Sequence, residues 1–444
     1  MSGLMQNNKA MDRRTRIDVP AAVKGGSDTR DEPLRVLVAS HSHPVISKGG
    51  AEIAAYELFV RLRRTPGIKP FFLACSRDQA YGRLGSQITQ PFSDDEFVYM
   101  AGQFDWFKFA NQDARFPHEA RELLRQLRPD VLHFHHYANF GVEIFAQIKD
   151  LLPESRIIVT LHEFLAICNH YGQMITKGKS SLCYKSGAIA CTKCFPEIPQ
   201  TDFFLRKQYV MRFFDHVDHF ISPSHFLAER YIEWGLDSAR VSVIENATAS
   251  TVGAAATVAG SGSGPLRIGF FGQISYLKGI NVLLEAARLL ETEERLDISF
   301  EIHGDYRSQP PDFQADFLKR LETAGENVIF HGPYDNRIVD RLMHSVDLIL
   351  MPSIWWENSP VVIQEAFRAE RPVVCSDIGG MAEKVRDGID GFHFPVGSPI
   401  GLASLLKRLA TNRQEIAEIV TRMKRQESSE DLVSAHVELY ETAQ

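Results

Sequence analysis

Short, continuous apolar runs alternate with segments of helical period along most of the chain. The first run, Leu34 to Ser40 (LRVLVAS), is apolar apart from Arg35 and Ser40, and it predicts a strand that is buried on both faces. A loop containing Gly49 and Gly50 follows this strand. Beyond the loop, apolar residues recur at the spacing of one helix face. This spacing predicts an amphipathic helix whose buried side carries Ala51, Ala55, Leu58 and Leu62.

The same order of strand, loop and helix recurs in the second half of the chain. Leu266 to Gly272 (LRIGFFG) predicts a buried strand, and a polar loop with Lys278 and Gly279 follows it. The next segment has the apolar stripe of a helix, formed by Val282, Leu283, Ala286, Leu289 and Leu290. Further strands are predicted at Val131–Phe134, Ile157–Leu161, His219–Ser222, Ile298–His303, Val328–His331, Leu348–Met351 and Val373–Cys375.

Continuous apolar strands that alternate with helices are typical of parallel sheets covered on both faces. We therefore predict an α/β protein with two Rossmann-like, doubly wound parallel-sheet domains that face each other across a cleft. Ligands of such sheets bind at the carboxyl ends of the strands. The predicted segments are a disordered leader (1–33), a first domain (34–246), a flexible linker rich in Ala, Gly, Ser and Thr (247–265), a second domain (266–425) and a C-terminal helix (426–444) that packs back on the first domain.

The composition fits a globular protein of more than one domain. Of the 444 residues, 44% are hydrophobic and 24% are charged, and the net charge is −7. This charge gives no general attraction to nucleic acid or to an anionic membrane. No apolar run approaches the ~20 residues that cross a bilayer, and residues 1–32 lack the apolar core of a secretory signal. We expect a cytoplasmic protein without a nucleic-acid partner.

Four of the six cysteines lie together in a loop-rich insert at residues 163–200, which we call the Cys-rich insert. In a reducing compartment, four clustered thiols with a terminal Cys-x-x-Cys pair favour a metal over disulfides. A structural zinc site is the leading hypothesis, with an iron–sulfur centre and free thiols as alternatives and His170 as a spare ligand. The candidate zinc ligands are Cys168, Cys183, Cys191 and Cys194.

The densest candidate chemistry lies between residues 351 and 383. Ser359 is expected to cap a helix that begins at Pro360, and a turn is predicted at Gly379–Gly380. Backbone N–H groups at a helix start favour phosphate oxygens. Carboxylates accept hydrogen bonds from sugar hydroxyls. The segment therefore indicates a site for a phosphorylated, hydroxyl-rich ligand such as a nucleotide sugar.

Two carboxylates, Glu357 and Glu365, flank this helix start. The seven residues between them would separate them by about 12 Å along a helix axis. This is farther than the spacing of a hydrolase pair acting on one glycosidic bond. We interpret the two glutamates as holding different parts of one long ligand. The alternative is that both are solvated surface acids.

Seven motifs occur in a characteristic order between Leu34 and about Ala410. They are GGAE (Gly49–Glu52), DVLHFHH (Asp130–His136), VTLHE (Val159–Glu163), FISPSHFLAERYIEWG (Phe220–Gly235), FFGQISYLKGINVLLEAARLL (Phe270–Leu290), the segment with Glu357 and Glu365, and DGIDGFHFPVGSP (Asp387–Pro399). In this order and spacing they resemble a retaining glycosyltransferase of family 4. The resemblance implies the GT-B fold, with the acceptor on the first domain and a nucleotide sugar on the second.

The resemblance also implies roles for individual residues. Glu357 would hold hydroxyls of the donor sugar, Glu365 would hold the ribose, and Lys278 would neutralise the diphosphate. His135 would lie near the scissile bond or the acceptor. The implied catalytic residues are His135, Lys278 and Glu357, and the implied donor-binding residues are Gly49, Gly50, Gln273, Lys278, Glu357, Ser359, Pro360, Val361, Val362 and Glu365. Simpler interpretations are that Lys278 is a solvated surface lysine, that His135 is a core or capping residue, and that Gly49–Gly50 forms only a turn.

The sequence departs from the family pattern at Gln273, where an arginine is usual, and at Asn358–Ser359–Pro360, where a loop containing glycine is commoner. The loss of the arginine removes one charge partner of the diphosphate. Because Lys278 and the helix start would stabilise the charge of the leaving group, no cofactor is required for catalysis, and no Asp-x-Asp triplet occurs in the expected places. Zinc would be structural only.

The expected activity is the transfer of a hexose from a nucleoside diphosphate sugar to a hydroxyl of a saccharide or lipid-linked acceptor. Anomeric configuration would be retained, and the product would be a surface polysaccharide or glycoconjugate. Two alternatives are a non-catalytic regulator that binds sugar nucleotides and a sugar-nucleotide epimerase. Mixed aromatic and basic residues in Phe104–Phe109 and Phe203–Phe214 would suit peripheral contact with the inner face of a membrane, or would simply pack on their own domain.

Overall fold

The computed structural model describes residues 32–47, 49–178, 180–247, 264–291, 296–423 and 429–442. The predicted disordered leader lies almost wholly outside these ranges, as does most of the predicted linker at 247–265. The two sheets described below belong to one compact unit that extends from Leu34 to the C-terminus. We call the parts of this unit around each sheet the first lobe and the second lobe.

The first lobe is built on an eight-stranded sheet in the described part of residues 34–247. Its helices are α1 (Gly50–Leu62), α2 (Phe116–Leu127), α3 (Ile144–Leu151), α4 (Ala188–Cys194), α5 (Gln200–Phe214) and α6 (His225–Trp234). The strands of this lobe are β1 (Leu34–Ala39), β2 (Ile68–Ser76), β3 (Ile88–Ser93), β4 (Glu96–Met100), β5 (Phe104–Asp105), β6 (Ala110–Asn111), β7 (Val131–Phe134), β8 (Arg156–Thr160), β9 (His219–Ser222) and β10 (Val241–Val243).

The strand order of this sheet is β10-β9-β8-β7-β1-β2-β4-β3. All neighbouring strands run parallel except β3, which pairs antiparallel with β4 at the edge. The short strands β5 and β6 form a separate antiparallel pair. The order in which strands are added to the sheet changes side between β1 and β7. Strands β2 to β4 lie on one side of β1, whereas β8 to β10 lie beyond β7 on the other side. We call this position the reversal point of the sheet.

The second lobe holds a six-stranded sheet within the described residues from 264 onward. Its strands are β11 (Leu266–Phe271), β12 (Ile298–His303), β13 (Val328–Gly332), β14 (Leu348–Met351), β15 (Val373–Ser376) and β16 (Gly391–Phe394). Its helices are α7 (Ile280–Glu291), α8 (Pro311–Glu322), α9 (Val339–His344), α10 (Val361–Arg368), α11 (Gly379–Lys384), α12 (Pro399–Thr411) and α13 (Gln414–Arg422). The strand order is β13-β12-β11-β14-β15-β16, and all neighbouring strands run parallel. The reversal point of this sheet, where successive strands change from one side to the other, lies between β11 and β14.

Two doubly wound parallel sheets, each covered by helices, confirm the predicted fold class. Reversal points of such sheets open a crevice at the carboxyl ends of the two central strands. In the first lobe the loops at this point follow β1 and β7. In the second lobe they follow β11 and β14, and these loops carry Lys278 and Glu357. The topology therefore brings together residues that are far apart in sequence.

The last helix, α14 (Ser429–Thr442), packs on the first lobe. Val433 and Tyr440 join the hydrophobic cluster formed by β1, β2 and α1. The hydroxyl of Tyr440 lies 2.7 Å from Nδ1 of His133, which is fully buried in β7. The C-terminal segment thus completes the core of the first lobe after the chain has passed through the second.

Two local predictions were wrong. Helix α10 has Pro360 at its N-cap and begins at Val361, one residue later than predicted. The hydroxyl of Ser359 does not cap this helix, because it donates instead to Oε1 of Glu245 at 2.5 Å. The predicted turn at Gly379–Gly380 is the first turn of helix α11, which Gly379 enters with a φ of +58°.

Candidate active site in the interlobe cleft

A cleft of about 450 Å³ lies between the two lobes, and both lobes line it. The first lobe contributes the loops that follow β1, β7 and β8, and the second lobe contributes the loop between β14 and α10. Of the residues predicted to bind the donor, the cleft brings together Gly49, Gly50, Glu357, Ser359, Pro360 and Val361.

Lys278 and Glu357 meet at the reversal point of the second sheet. Nζ of Lys278 lies 2.7 Å from Oε1 of Glu357. The same oxygen accepts hydrogen bonds from Oγ of Ser353 at 2.9 Å and from Nε1 of Trp355 at 2.8 Å. Glu357 is buried, and its three donors all converge on one carboxylate oxygen. Because the other oxygen has no such partners among the described residues, it remains available to accept a hydrogen bond from a ligand.

The backbone that carries Lys278 approaches the end of β14 closely. A Cβ atom on Gly279 would lie 1.8 Å from the carbonyl oxygen of Pro352, and Gly279 has a φ of +74°. Only glycine fits this position, since both the space and the backbone conformation exclude a side chain. This close approach allows the lysine of one loop to reach the glutamate of the other.

Two helix starts face each other across the cleft. The first turn of α1 begins at Gly50, and the first turn of α10 begins at Val361. A Cβ atom on Gly50 would lie 4.0 Å from Cγ2 of Val361. Backbone N–H groups and the helix dipole favour negative charge at both places. The arrangement is suited to a phosphorylated ligand held between the lobes.

Polar residues of the first lobe line the opposite wall. Nε2 of His41 lies 3.2 Å from Oε1 of Glu52, and the rings of His41 and His136 have their centroids 4.5 Å apart. Burial alone would raise the pKa of Glu52, but the hydrogen bond and the charge of His41, together with hydrogen bonds from the backbone and from Ser47, outweigh burial and lower this pKa. Glu52 is therefore an anion at neutral pH.

His136 and Glu163 form a second acid–imidazole pair in this wall. The backbone N–H of Ala138 donates to Nδ1 of His136, so the proton of the neutral ring resides on Nε2. Nε2 lies 2.7 Å from Oε1 of Glu163 and donates to it. Burial lowers the pKa of His136, and it lowers the pKa of His162 to about 3. Both rings are neutral at pH 7. The two nitrogens of His136 already have partners, whereas Nδ1 of His162 has none among the described residues and can hydrogen-bond an acceptor hydroxyl.

His135, a predicted catalytic residue, lies behind this wall rather than in it. Its Nδ1 is 3.0 Å from Nε2 of His162, which does line the cleft, and its own side chain is only 3% exposed. Burial also holds the pKa of His135 well below its usual value. His135 is thus placed to orient His162, and its catalytic role stays a prediction.

Glu365 is buried on α10, one turn beyond the cleft. Its Oε1 accepts a hydrogen bond from Nδ2 of Asn336 at 3.2 Å. Burial raises the pKa of Glu365 to about 7, despite the nearby positive charge of Arg368. The structure separates the two glutamates, as the spacing implied, and gives only Glu357 a cation within hydrogen-bonding distance.

The remaining predicted donor residues have different surroundings. Nε2 of Gln273 donates to Oγ of Ser308 at 2.9 Å on an exposed part of the second lobe. Val362 follows Val361 in the first turn of α10 and packs beside the hydrophobic cluster of this lobe. Neither residue lies with those that line the cleft.

Several contacts hold the lobes together beside the site. Trp356 of the second lobe belongs to the hydrophobic core of the first lobe, and its Nε1 donates to the carbonyl oxygen of Cys183 at 3.1 Å. Nδ2 of Asn358 donates to the carbonyl oxygen of His162 at 2.9 Å. Glu383 accepts hydrogen bonds from two backbone N–H groups at the start of α6. The residue before Glu357 and the residue after it are therefore both attached to the opposite lobe.

The four cysteines of the Cys-rich insert are free thiols. Within the described ranges, no three His, Cys, Asp or Glu side chains are arranged to hold a metal ion. Cys183, Cys191 and Cys194 are near enough for their charges to influence one another, and burial is the main cause of the raised pKa of Cys183. The zinc site therefore stays a prediction.

Sequence reasoning identified the motifs around the cleft but missed particular side chains in them. His41, which follows β1, was not singled out, and Glu52 was noted only as the last residue of a motif. His136 and His162 were included within the motifs DVLHFHH and VTLHE, and His135 was preferred to both. His41 and His136 follow β1 and β7, the two strands at the reversal point of the first sheet, and this position is the signal that finds them. His162 follows the neighbouring strand β8, and Glu52 lies in the first turn of the helix after β1.

Two family models match adjoining parts of the chain. Residues 48–249 match the model described as Glycosyltransferase Family 4, and residues 265–412 match the model described as Glycosyl transferases group 1. The two matches correspond to the two lobes and together span most of the described structure.

Individual relatives are distant. The chain is 28% identical over 238 residues to a lipopolysaccharide 1,2-N-acetylglucosaminetransferase of Salmonella typhimurium, which is 50% of this chain and 58% of that relative. It is also 28% identical over 162 residues to the amylovoran biosynthesis glycosyltransferase AmsK of Erwinia amylovora, covering 35% of this chain and 39% of AmsK. The chain therefore spans only about half the length of these relatives.

Solved structures match over nearly the whole chain. Anabaena HepE, whose crystal structure was determined in complex with UDP and glucose, superposes with a TM-score of 0.63 at 16% identity and covers 92% of this chain and 100% of HepE. Sucrose-phosphate synthase from Thermosynechococcus elongatus superposes with the same TM-score at 15% identity, covering 92% of this chain and 98% of that one. The matches to both lobes, together with the fold, show that this chain belongs to the family 4 glycosyltransferases of the GT-B fold.

Proposed function

We propose that this protein transfers a hexose from a nucleoside diphosphate sugar to a hydroxyl of a saccharide or lipid-linked acceptor, with retention of anomeric configuration. The observation that carries the proposal is the Lys278–Glu357 pair at the reversal point of the second sheet, directly beside two opposed helix starts. A cation and two helix dipoles suit a diphosphate. A buried carboxylate with an open oxygen suits the hydroxyls of a sugar.

In the proposed reaction, an oxygen of the acceptor bonds to the anomeric carbon while the bond from that carbon to the diphosphate oxygen breaks. The acceptor's proton passes to the departing diphosphate, so attack and departure occur on the same face. Negative charge grows on the diphosphate as the bond breaks. Lys278 and the start of α10 stabilise this charge most in the transition state, and such differential stabilisation accelerates a reaction.

The donor and product classes are supported by the relatives. One relative is named for N-acetylglucosamine transfer in lipopolysaccharide and another for amylovoran biosynthesis. We therefore place the reaction in the synthesis of a surface polysaccharide or glycoconjugate.

A thermal-shift screen of UDP-, GDP- and ADP-sugars identifies the donor. Incubation of the stabilising donor with candidate acceptors should then release the free nucleoside diphosphate. A donor that binds but releases none in the presence of any acceptor would favour the regulator, for which the replacement of arginine by Gln273 is the specific hint.

Two simpler measurements separate the remaining alternatives. An epimerase would isomerise the donor sugar without acceptor, and this is visible by NMR of the donor alone.

Because Lys278 and the helix starts supply the positive charge, we propose that turnover needs no metal ion. Activity should therefore persist in EDTA after exhaustive dialysis, and restoration by Mg²⁺ or Mn²⁺ would overturn this part of the proposal.

We also propose a cytoplasmic protein that contacts the inner face of the membrane through the first lobe. Trp106, Phe204 and Leu205 are each at least half exposed, and contact between the rings of Phe107 and Phe203 joins their two segments. Lys108 and Arg212 lie in the same segments. Within the described residues, no helix has the length and apolar character needed to cross a bilayer.

The membrane proposal is tested with vesicles of phosphatidylglycerol and of phosphatidylcholine. Binding should prefer the anionic vesicles and weaken as salt rises, because basic residues act over about one Debye length. Phe204→Ser should weaken binding, whereas Leu84→Ser, at a fully exposed site elsewhere on this lobe, should not. Equal binding by both variants would contradict the assignment.

A structural zinc ion in the Cys-rich insert stays part of the proposal. Cys168, Cys183, Cys191 and Cys194 would be its ligands after the insert closes around the metal, and His170 would be a spare ligand. Elemental analysis of the purified protein should find one zinc per chain. Loss of zinc and of thermal stability in Cys191→Ser, compared with Cys75→Ser in the core of the first lobe, would support this ligand set.

A further inference from the structure

A second cavity, of about 540 Å³, lies on the other side of the loops that carry Lys278 and Glu357. Gly279 and Ile354 line it, whereas Trp355 and Glu357 line the interlobe cleft. Its volume falls in the range of about 300–1,000 Å³ that is usual for small-molecule sites. Since Ile354 and Glu357 are three residues apart, the two cavities lie within about 10 Å of each other along the chain.

Both lobes build the walls of this second cavity. The second lobe contributes Tyr276, Asn281 and Glu285 at the start of α7, together with Arg320 of α8. The first lobe contributes residues 180–182 from the Cys-rich insert. These residues belong to a short hairpin, in which Ile175 pairs antiparallel with Leu182 and the backbone N–H of Cys183 donates to the carbonyl oxygen of Met174 at 2.8 Å.

The insert is attached to the second lobe next to this hairpin. Trp356 donates to the carbonyl oxygen of Cys183, and its ring lies 5.1 Å from the ring of Tyr184 in an edge-on arrangement. Trp356 is the residue before Glu357. The wall formed by the insert is therefore in place when the lobes are together, which is also when the interlobe cleft is formed.

The chemistry of the lining is that of a site for a neutral polyol. The one acid and the one base already have partners, since Glu285 pairs with Arg288 and Arg320 pairs with Asp316, both at 2.7 Å. Neither charge requires a charged ligand. Tyr276 is 47% exposed and offers an aromatic face for the C–H surface of a sugar ring. Oδ1 of Asn281 has no hydrogen-bond partner among the described residues, so the amide can rotate to meet a hydroxyl without breaking a bond.

From this lining, we propose that the second cavity is a saccharide subsite that binds a neutral hexose unit of the acceptor glycan, remote from the transferred sugar. The Cys-rich insert completes the subsite, and Tyr276 and Asn281 are its principal binding residues. The role assigned to the bound unit rests on the proposed glycosyltransferase function, whereas sugar binding in the cavity does not. The subsite would make the enzyme prefer acceptors long enough to reach both cavities.

The test measures binding of three neutral tetrasaccharides, cellotetraose, laminaritetraose and maltotetraose, to the full chain by saturation-transfer NMR and calorimetry in the presence of UDP. At least one should bind. Tyr276→Ala should weaken its binding by about tenfold, equivalent to about 1.4 kcal/mol. Tyr276→Phe should retain binding because the ring is preserved, and Ile329→Ala, at an exposed site on β13, should leave it unchanged.

The proposal is overturned if none of the three tetrasaccharides binds, if Tyr276→Ala binds as well as the unaltered chain, or if Ile329→Ala weakens binding equally. Its failure is distinguishable from failure of the proposed function. Tyr276-dependent tetrasaccharide binding without hexose transfer from any donor would leave the subsite intact and refute the transferase. Transfer to a monosaccharide without tetrasaccharide binding would refute the subsite alone.

Discussion

Nζ of Lys278 lies 2.7 Å from Oε1 of Glu357, although 79 positions separate the two residues in the sequence. Each follows one of the two strands between which the second sheet reverses direction. The pair can form because Gly279 permits backbone contact with the end of β14. In the proposed reaction, the lysine would exchange its carboxylate partner for phosphate oxygens of the donor, and the glutamate would turn to sugar hydroxyls.

Replacement of Lys278 by alanine should therefore lower kcat by about 10²–10³-fold, as is typical when one group that stabilises developing negative charge is removed. The KM for the donor should change less, because the growing charge of the transition state interacts with the lysine more strongly than the ground state does. Steady-state kinetics of nucleoside diphosphate release provide the measurement. Lys319→Ala, at an exposed site on α8, is the control, and unchanged turnover in Lys278→Ala would refute the assignment.

Donor binding should release protons near neutral pH. Burial raises the pKa of Glu365 to about 7, and hydrogen bonds from ribose hydroxyls would favour the ionised form, so its pKa should fall on binding. Affinity for the nucleoside diphosphate should then rise with pH up to about 7 and level off above it. Calorimetry in two buffers of different ionisation enthalpy detects the released proton, and Glu365→Gln should abolish this release. Identical proton release by the variant would show that another group titrates.

Stability should fall as the pH drops below about 6.5, the usual histidine pKa. Burial lowers the pKa values of His133, His135, His136, His162 and His436 in the folded state. The unfolded chain therefore binds more protons than the folded one in this range, at a cost of about 1.4 kcal/mol per pH unit for each histidine. Glu365 acts in the opposite direction, since its raised pKa favours the folded state as pH falls from 7 to 4.5.

Burial also lowers the pKa values of His43, His219 and His303 and raises that of Glu143. Eight histidines outweigh two glutamates, so the net effect is acid destabilisation. Urea unfolding at pH 7.5, 6.5 and 5.5 should show a steadily decreasing free energy of unfolding. Equal stability at all three values would mean that these imidazoles are solvated in solution. If His133→Asn loses less stability than the unaltered chain between pH 7.5 and 5.5, then His133, which lies beneath α14, is one of the groups that titrate.

Tyr440→Phe should destabilise the protein by about 1–3 kcal/mol, the usual effect of leaving a buried polar group without its partner. The hydroxyl of Tyr440 lies 2.7 Å from Nδ1 of His133, and both side chains are buried. Thr442→Ala on the exposed side of the same helix is the matched control. Chemical unfolding compares the three proteins, and equal destabilisation by both substitutions would indicate a general effect on α14 rather than this bond.

The repeated apolar strands and helical stripes determined much of the fold by themselves. The mainly apolar sequences of β1, β7 and β11 favour burial on both faces, which is typical of a parallel sheet between helix layers. The predicted strands at Val131–Phe134, His219–Ser222, Ile298–His303 and Leu348–Met351 agree with the structure to the residue. Sequence order also located the motifs at strand ends, because this edge of a parallel sheet is where its loops meet a ligand.

Which side chains share the site was decided by tertiary structure. Periodicity does not distinguish His135, which points behind the cleft, from His136, which lines it, because adjacent residues at a strand end diverge according to the local loop. Glu245 draws the hydroxyl of Ser359 away from the helix that it was expected to cap, since the opposite lobe lies within hydrogen-bonding distance. The sequence determined the two sheets and the ends at which chemistry occurs. Contacts between segments far apart in the chain, such as Trp356 with Cys183 and Lys278 with Glu357, depend on how the lobes pack, and only the folded chain specifies that packing.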